Sequence, residues 1–292
     1  MATPPVYTHA LWTHSLWVPS FPLMPLSFFH LSFFRLSFFH QGSWLAAASF
    51  LAGALNAVAG GGSFLSFPAL LGVGVLPIAA NATNTVALWP GQLTSIAAYR
   101  EDLGVNLRLL VPVSLSALLG GLAGAVVLLR TGQGTFLRLV PWLLLGASLL
   151  FAASAPIARW FARRRAETIA DARPRYVPLC AALVVVCFYI GYFGAGAGFL
   201  IMAMLAIFGI QSIREVNALK VVATTIANGI AVVTFIVERQ IVWHLCLLMM
   251  LTAALGGYLG GRYSRRLSAR VMRGFVVVIG LAMAAYFFLR TP

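Results

Sequence analysis

The stretch Gly60-Gly61-Gly62-Ser63-Phe64-Leu65 decides how this chain reads, because a glycine-rich break of the same kind returns as Gly194-Ala195-Gly196-Ala197-Gly198-Phe199-Leu200. Glycine disfavours a continuous helix and permits close backbone approach. Both breaks interrupt apolar sequence: 61% of the 292 residues are hydrophobic, 9% are charged and the mean hydropathy is +0.94. No soluble domain of this length hides so much apolar surface, so the chain is read as an integral membrane protein. Apolar stretches near 79–99, 107–129, 139–158, 176–193, 216–237, 241–261 and 274–289 suit helices crossing a hydrocarbon layer about 30 Å thick. Within that layer, non-helical backbone is tolerated only where protein buries it or where it lines a cavity. The two breaks are therefore the leading candidates for a solute site in a transporter made of two related halves.

A formal charge of +14 would suggest nucleic acid in a soluble protein. Here the arginines occupy short loops between spans, where they set orientation, and no nucleic-acid partner is expected. The sequence implies two partners, the lipid bilayer and a small anionic solute, and leaves a homo-oligomer open. Cys180, Cys187 and Cys246 lie in apolar segments without the spacing of a disulfide or zinc framework and read as small buried hydrophobes. No cofactor or metal is expected. The chain has no His-Glu-x-x-His, no Gly-x-Ser-x-Gly and no paired in-membrane aspartates, which argues against an enzyme. Glu101, Asp102, Glu167, Asp171, Glu215 and Glu238 all fall in loops or at helix ends, against a cation channel or a carboxylate proton relay.

Residues 1–42 stand apart, with most of the histidines and a tandem five-residue repeat, Leu26-Ser27-Phe28-Phe29-His30, then Leu31 to Arg35, then Leu36 to His40. The segment lacks the order of a signal peptide and reads as a disordered or mis-started leader, with Met24 an alternative start. From Trp44 onward the halves align without gaps at an offset of 136 residues. Gly60 falls on Gly196, Gly62 on Gly198, Asn81-Ala82 on Asn217-Ala218, Leu119-Gly120-Gly121 on Leu255-Gly256-Gly257, Gly124 on Gly260 and Arg130 on Arg266. A single constant register reads as internal duplication. The expected organisation is a first transmembrane repeat over 43–158, an Arg-rich cytoplasmic linker over 159–175 and a second repeat over 176–292. If 44–76 and 177–210 are each a broken re-entrant hairpin followed by three spans, the halves are inverted. Fourteen arginines then share one side against four on the other, whereas parallel halves split them ten against eight. The positive-inside rule favours the inverted arrangement.

The residues also resemble a known family. Asn56-Ala57-Val58-Ala59-Gly60-Gly61-Gly62-Ser63-Phe64, Pro68, and Ala80-Asn81-Ala82-Thr83-Asn84-Thr85-Val86-Ala87-Leu88-Trp89-Pro90-Gly91 are similar to the first half of the TauE/SafE sulfite exporter family. Gly191-Tyr192-Phe193-Gly194-Ala195-Gly196-Ala197-Gly198, Asn217-Ala218-Leu219-Lys220 and Ala227-Asn228-Gly229 resemble its second repeat. The resemblance spans roughly 44–290. It implies a multi-pass carrier in the plasma membrane that moves sulfite, thiosulfate, an organosulfonate or a related small anion, with export the usual direction.

The residues suggest how an anion is held. Helix N-termini made by the breaks present free backbone N–H groups and a positive dipole end, and Gly60, Gly61, Gly62 and Ser63, with Gly196 to Phe199 and Gly198 among them, are the candidate donors. Close helix packing through small residues is the competing reading. The next helix of each half opens with a polar patch: Asn81, Thr83, Asn84 and Thr85 in the first, and Asn217, Lys220, Thr224, Thr225 and Asn228 in the second. Asn217, Lys220, Thr224 and Asn228 follow helical spacing and share a face. Asn84 and Lys220 are repeat equivalents. An ammonium at the bilayer centre costs about 2.5–3.5 kcal/mol even on permissive scales, which an anionic solute would explain. Snorkelling to the headgroups is the alternative. Gln92, Thr94, Ser95 and Tyr99 are further pathway candidates, and Trp89-Pro90-Gly91 is expected to bend its helix. Cys187, at i+7 from Cys180, could touch thiosulfate, against a buried-core reading. The expected fold is an all-α polytopic membrane protein of two inverted repeats. A carrier of another solute such as a carboxylate, or a membrane scaffold, is the competing class.

Overall fold

The computed structural model describes residues 42–56, 61–98, 107–167, 176–194, 198–208, 210, 212–263 and 269–290. The chain divides into two compact units, Met1–Phe39 and His40–Pro292, and the second is the one described here. The leader, Gly60, Gly196 and the loops 99–106, 168–175 and 264–268, with many of the arginines, lie outside the described residues.

Helix is the regular structure throughout the described residues, as the all-α expectation requires. A helix over residues 42–56 (α1) is followed by α2 (Ser63–Gly72), α3 (Pro77–Ala98), α4 (Leu107–Arg130) and α5 (Gln133–Glu167). The second half supplies α6 (Tyr176–Tyr192), α7 (Gly198–Ile207), α8 (Ile213–Val237), α9 (Trp243–Tyr263) and α10 (Ala269–Arg290). Four segments are long and apolar enough to cross a membrane: Leu109–Arg130, Gln133–Leu150, Glu215–Val237 and Trp243–Gly260. Exposed leucines and valines such as Leu115, Leu119, Leu251 and Leu255 line the outside of α4 and α9, where lipid tails take the place of water. The helix α5 runs on to Glu167, so the expected linker over 159–175 begins as helix. Pro90 lies inside α3, which is helical on both sides of it.

Both glycine breaks part a longer helix from a ten-residue one. At the first, the chain doubles back: Gly62 packs so closely on α1 that a Cβ there would collide with the carbonyl of Ala52 and lie 3.1 Å from Asn56 Cβ. A straight continuation would carry residue 62 about 15 Å beyond residue 52. Past α2, Gly74 takes φ +86° and turns the chain into α3.

The 136-residue offset reappears in the helices. Pro77 and Ile213 open α3 and α8, Leu107 and Trp243 open α4 and α9, and Gln133 and Ala269 open α5 and α10, each pair 136 residues apart. Packing is reciprocal as well. α3 lies on α9 as α8 lies on α4, α5 on α7 as α10 on α2, and the equivalents α3 and α8, and α5 and α10, touch each other. Two glycine seams fix the closest approaches. Gly120 and Gly124 of α4 admit the backbone of α6 at Val184 and Phe188, while Gly256 and Gly260 of α9 admit α1 at Phe50 and Ala54. Without a hydrophobic force between helices in lipid, such backbone-to-backbone packing is what holds a bundle together. Val242, just past the end of α8, donates its N–H to Thr83 Oγ1 near the start of α3 at 3.1 Å. The two helices therefore pass each other in opposite directions.

Candidate functional site

The described glycines of the first break, Gly61 and Gly62, are packed against neighbouring helices. Gly61 faces Val276 of α10, and Gly62 faces α1. Backbone N–H groups of Phe64, Leu65 and Ser66 already bond Gly61 and Gly62 carbonyls. Ser66 Oγ lies 2.5 Å from Asn84 Oδ1, to which it donates, with Gly62 O at 3.2 Å as its alternative acceptor. Ser66 and Asn84 have no more than 1% of their surface exposed. Asn81 turns away from this break: its Nδ2 donates to Tyr192 O of α6 at 3.1 Å. Phe67 of α2, Phe136 of α5 and Phe193 then form an edge-on aromatic cluster, with Phe67 and Phe193 centroids 5.5 Å apart.

The second break is lined from both halves. Gly194 holds φ +77°, which L side chains rarely adopt. A carbon in its Cβ position would lie 3.6 Å from Asn228 Oδ1 and 3.7 Å from Thr85 Oγ1. At Gly198, which opens α7, the same test finds Lys220 Cδ at 3.7 Å and Thr224 Cγ2 at 4.0 Å. Of the candidates, Lys220 thus lies against Gly198 with Thr224 on the same α8 face, while Asn228, two turns further along α8, lies against Gly194 with Thr85 of α3. Asn217 is half-buried one turn before Lys220. The ammonium of Lys220, seven residues into α8 and so roughly 10 Å along it, has no hydrogen-bond or ion-pair partner among the described residues. The described residues hold no group of His, Cys, Asp and Glu fit for a metal ion.

Two hydrogen bonds join repeat equivalents where α3 crosses α8. Trp89 Nε1 donates to Thr225 O at 3.1 Å, its ring resting on Gly229, and Asn228 Nδ2 donates to Gln92 Oε1 at 3.1 Å. In both bonds donor and acceptor are 136 residues apart. Of the other pathway candidates, the side chains of Thr94 and Ser95, and Tyr99 entirely, lie outside the described residues. Cys187 is buried in the seam facing Gly120, and Cys246 Sγ approaches Thr83 O at 3.9 Å, so both thiols sit in the helix packing.

An all-helical bundle with an intramembrane lysine and interrupted helices is the architecture of a polytopic membrane transporter. The sequence pattern of the Sulfite exporter TauE/SafE family matches residues 45–287, and the chain belongs to that family. It is 27% identical over 253 residues to a probable membrane transporter protein of a Sinorhizobium species, covering 84% of this chain and 91% of that one. A probable membrane transporter protein of Haemophilus influenzae is 27% identical over 245 residues, covering 82% and 92%. One from Escherichia coli K12 is 24% identical over 241 residues, covering 81% and 86%. No solved structure matches the chain.

Proposed function

We propose that this membrane transporter carries a small sulfur-containing oxyanion such as sulfite, thiosulfate or an organosulfonate across the plasma membrane, and that the solute binds at the second break. The observation that carries the reading is Lys220: a cation within an apolar span, beside Gly198, with no protein partner among the described residues. Uncompensated charge at that depth is unfavourable by several kcal/mol on most scales, and a transiently bound anion offsets it. Neither acid of α8 lies in its interior, since Glu215 is in the first turn and Glu238 caps the end. That leaves Lys220 free to answer to the solute. An inside-negative potential favours anion exit by about 2.3 kcal/mol per charge per 100 mV, so export needs no coupling ion. Nothing in the site resembles a nucleophile and base pair, and the chain is read as a carrier without catalytic chemistry.

The halves are read as inverted repeats. The equal helix offsets, the reciprocal packing and the opposed course of α3 and α8 support this, and alternating access would follow from one repeat rocking against the other about the α3–α8 crossing. Uptake of labelled sulfite, thiosulfate and a short organosulfonate into proteoliposomes, with and without an imposed potential, tests the reading in wild type and Lys220→Ala. Potential-sensitive flux abolished by the substitution is the expected result. Flux indifferent to Lys220→Ala would remove the lysine from the site, and no flux of any of these anions would point to another solute.

A further inference from the structure

The polar atoms around Gly194 differ in kind from the ammonium at Gly198. Both hydrogens of the Asn228 amide are taken: Nδ2 donates to Thr224 O at 3.0 Å and to Gln92 Oε1 at 3.1 Å. Because Thr224 O can only accept, the orientation of that amide is fixed, and Oδ1 is the atom turned to Gly194. Thr85 has one hydroxyl hydrogen, donated to Asn81 O at 2.9 Å, which leaves lone pairs on the Gly194 side. Asn81 Oδ1 is itself buried without a partner among the described residues. The Gly194 N–H bonds Tyr189 O at 3.4 Å. Asn228 is 5% exposed and its Oδ1 accepts no hydrogen bond from any described residue. Among these groups the notch presents acceptors and no spare donor.

We propose that the Gly194 notch is an acceptor subsite that selects solutes bearing an O–H or N–H donor in addition to the negative charge held at Lys220. This rests on the anion reading above and narrows it to hydroxylated or aminated small anions. An acceptor left unmatched in a buried site penalises the solute that lacks the donor, which is how a site built for hydrogen bonding discriminates. In the second half the position that corresponds to Thr85 is Val221, which offers no oxygen.

The test uses full-length protein in proteoliposomes and two pairs matched in size: 2-hydroxyethanesulfonate against propane-1-sulfonate, and 3-hydroxypropane-1-sulfonate against butane-1-sulfonate. Wild type is expected to move the hydroxylated member of a pair roughly fivefold faster, the factor carried by one hydrogen bond. Thr85→Val should bring that ratio towards one, and Thr85→Ser should restore it. Equal rates within both pairs in wild type, or a preference that Thr85→Val leaves intact, overturns the proposal while the anion reading stands. If wild type moves none of the four but carries sulfite or thiosulfate, this proposal is overturned and the anion reading stands; if it carries none of these anions, both fall. Should Thr85→Val fail to fold, solute-induced shifts in the melting of detergent-solubilised wild type decide: a larger shift for the hydroxylated member supports the subsite, and equal shifts overturn it.

Discussion

The two glycine breaks, similar in sequence, are packed differently. At the first, Asn84 is buried with Ser66 donating to its Oδ1, and α1 and α10 crowd Gly62 and Gly61. At the second, the equivalent position is Lys220, longer and charged, and Ser66 is matched by Met202, which offers no hydroxyl. The polar contact between Ser66 and Asn84 thus has as its counterpart a cation with no partner among the described residues.

The most severe test of this contrast makes the second break chemically like the first. Lys220→Asn is expected to lower anion flux in proteoliposomes by about 100-fold, as loss of a charge-assisted contact of about 3 kcal/mol implies. Flux within a few-fold of wild type would show that the two breaks do not differ as described. The converse change, Asn84→Lys, buries an ammonium without a partner and should destabilise the protein by about 3–5 kcal/mol in thermal or denaturant melts, opening no second path. A well-folded Asn84→Lys protein with doubled flux would sink the idea of a dead first site. Ser66→Ala removes the partner of Asn84 and should lower stability by about 1–3 kcal/mol while leaving flux in place; a flux defect at normal stability would return Ser66 to the pathway. Smallest is Trp89→Phe, which keeps a ring on Gly229 but loses the bond to Thr225 O, at about 1 kcal/mol of stability. An unchanged melting temperature would mean that this bond contributes little where the halves cross.

Much of the frame was readable before any coordinates. The glycine positions set the 136-residue register, and the same register reappears in the starts of α3, α4 and α5 against α8, α9 and α10. Lys220 stood out because charge at bilayer depth is unfavourable wherever it occurs. What could not be read was partner choice. Thr85 looked like one member of a first-half polar patch, and only the α3–α8 crossing carries it to the second break. Ser66 gave no signal, since a serine in an apolar ten-residue helix is unremarkable until Asn84 is brought against it from 18 positions away. The patch Asn81 to Thr85 also scatters: Asn81 goes to Tyr192, Thr83 to Val242 and Asn84 to Ser66, because successive residues on a helix face different neighbours.

The crossed glycine seams bear on how the protein is made. α1 finds its groove on α9, where Gly53 lies against Ala253, so a hairpin among the first elements translated waits for a helix some 200 residues downstream. At 5–20 residues per second that is about 10 to 40 s in which Gly53 and its neighbours have only lipid or the insertion machinery for company. A ribosome halted after the first half releases a chain in which α2 can still pack on α3 but the face of α1 at Gly53 lacks α9, and quality control would meet that uncovered seam.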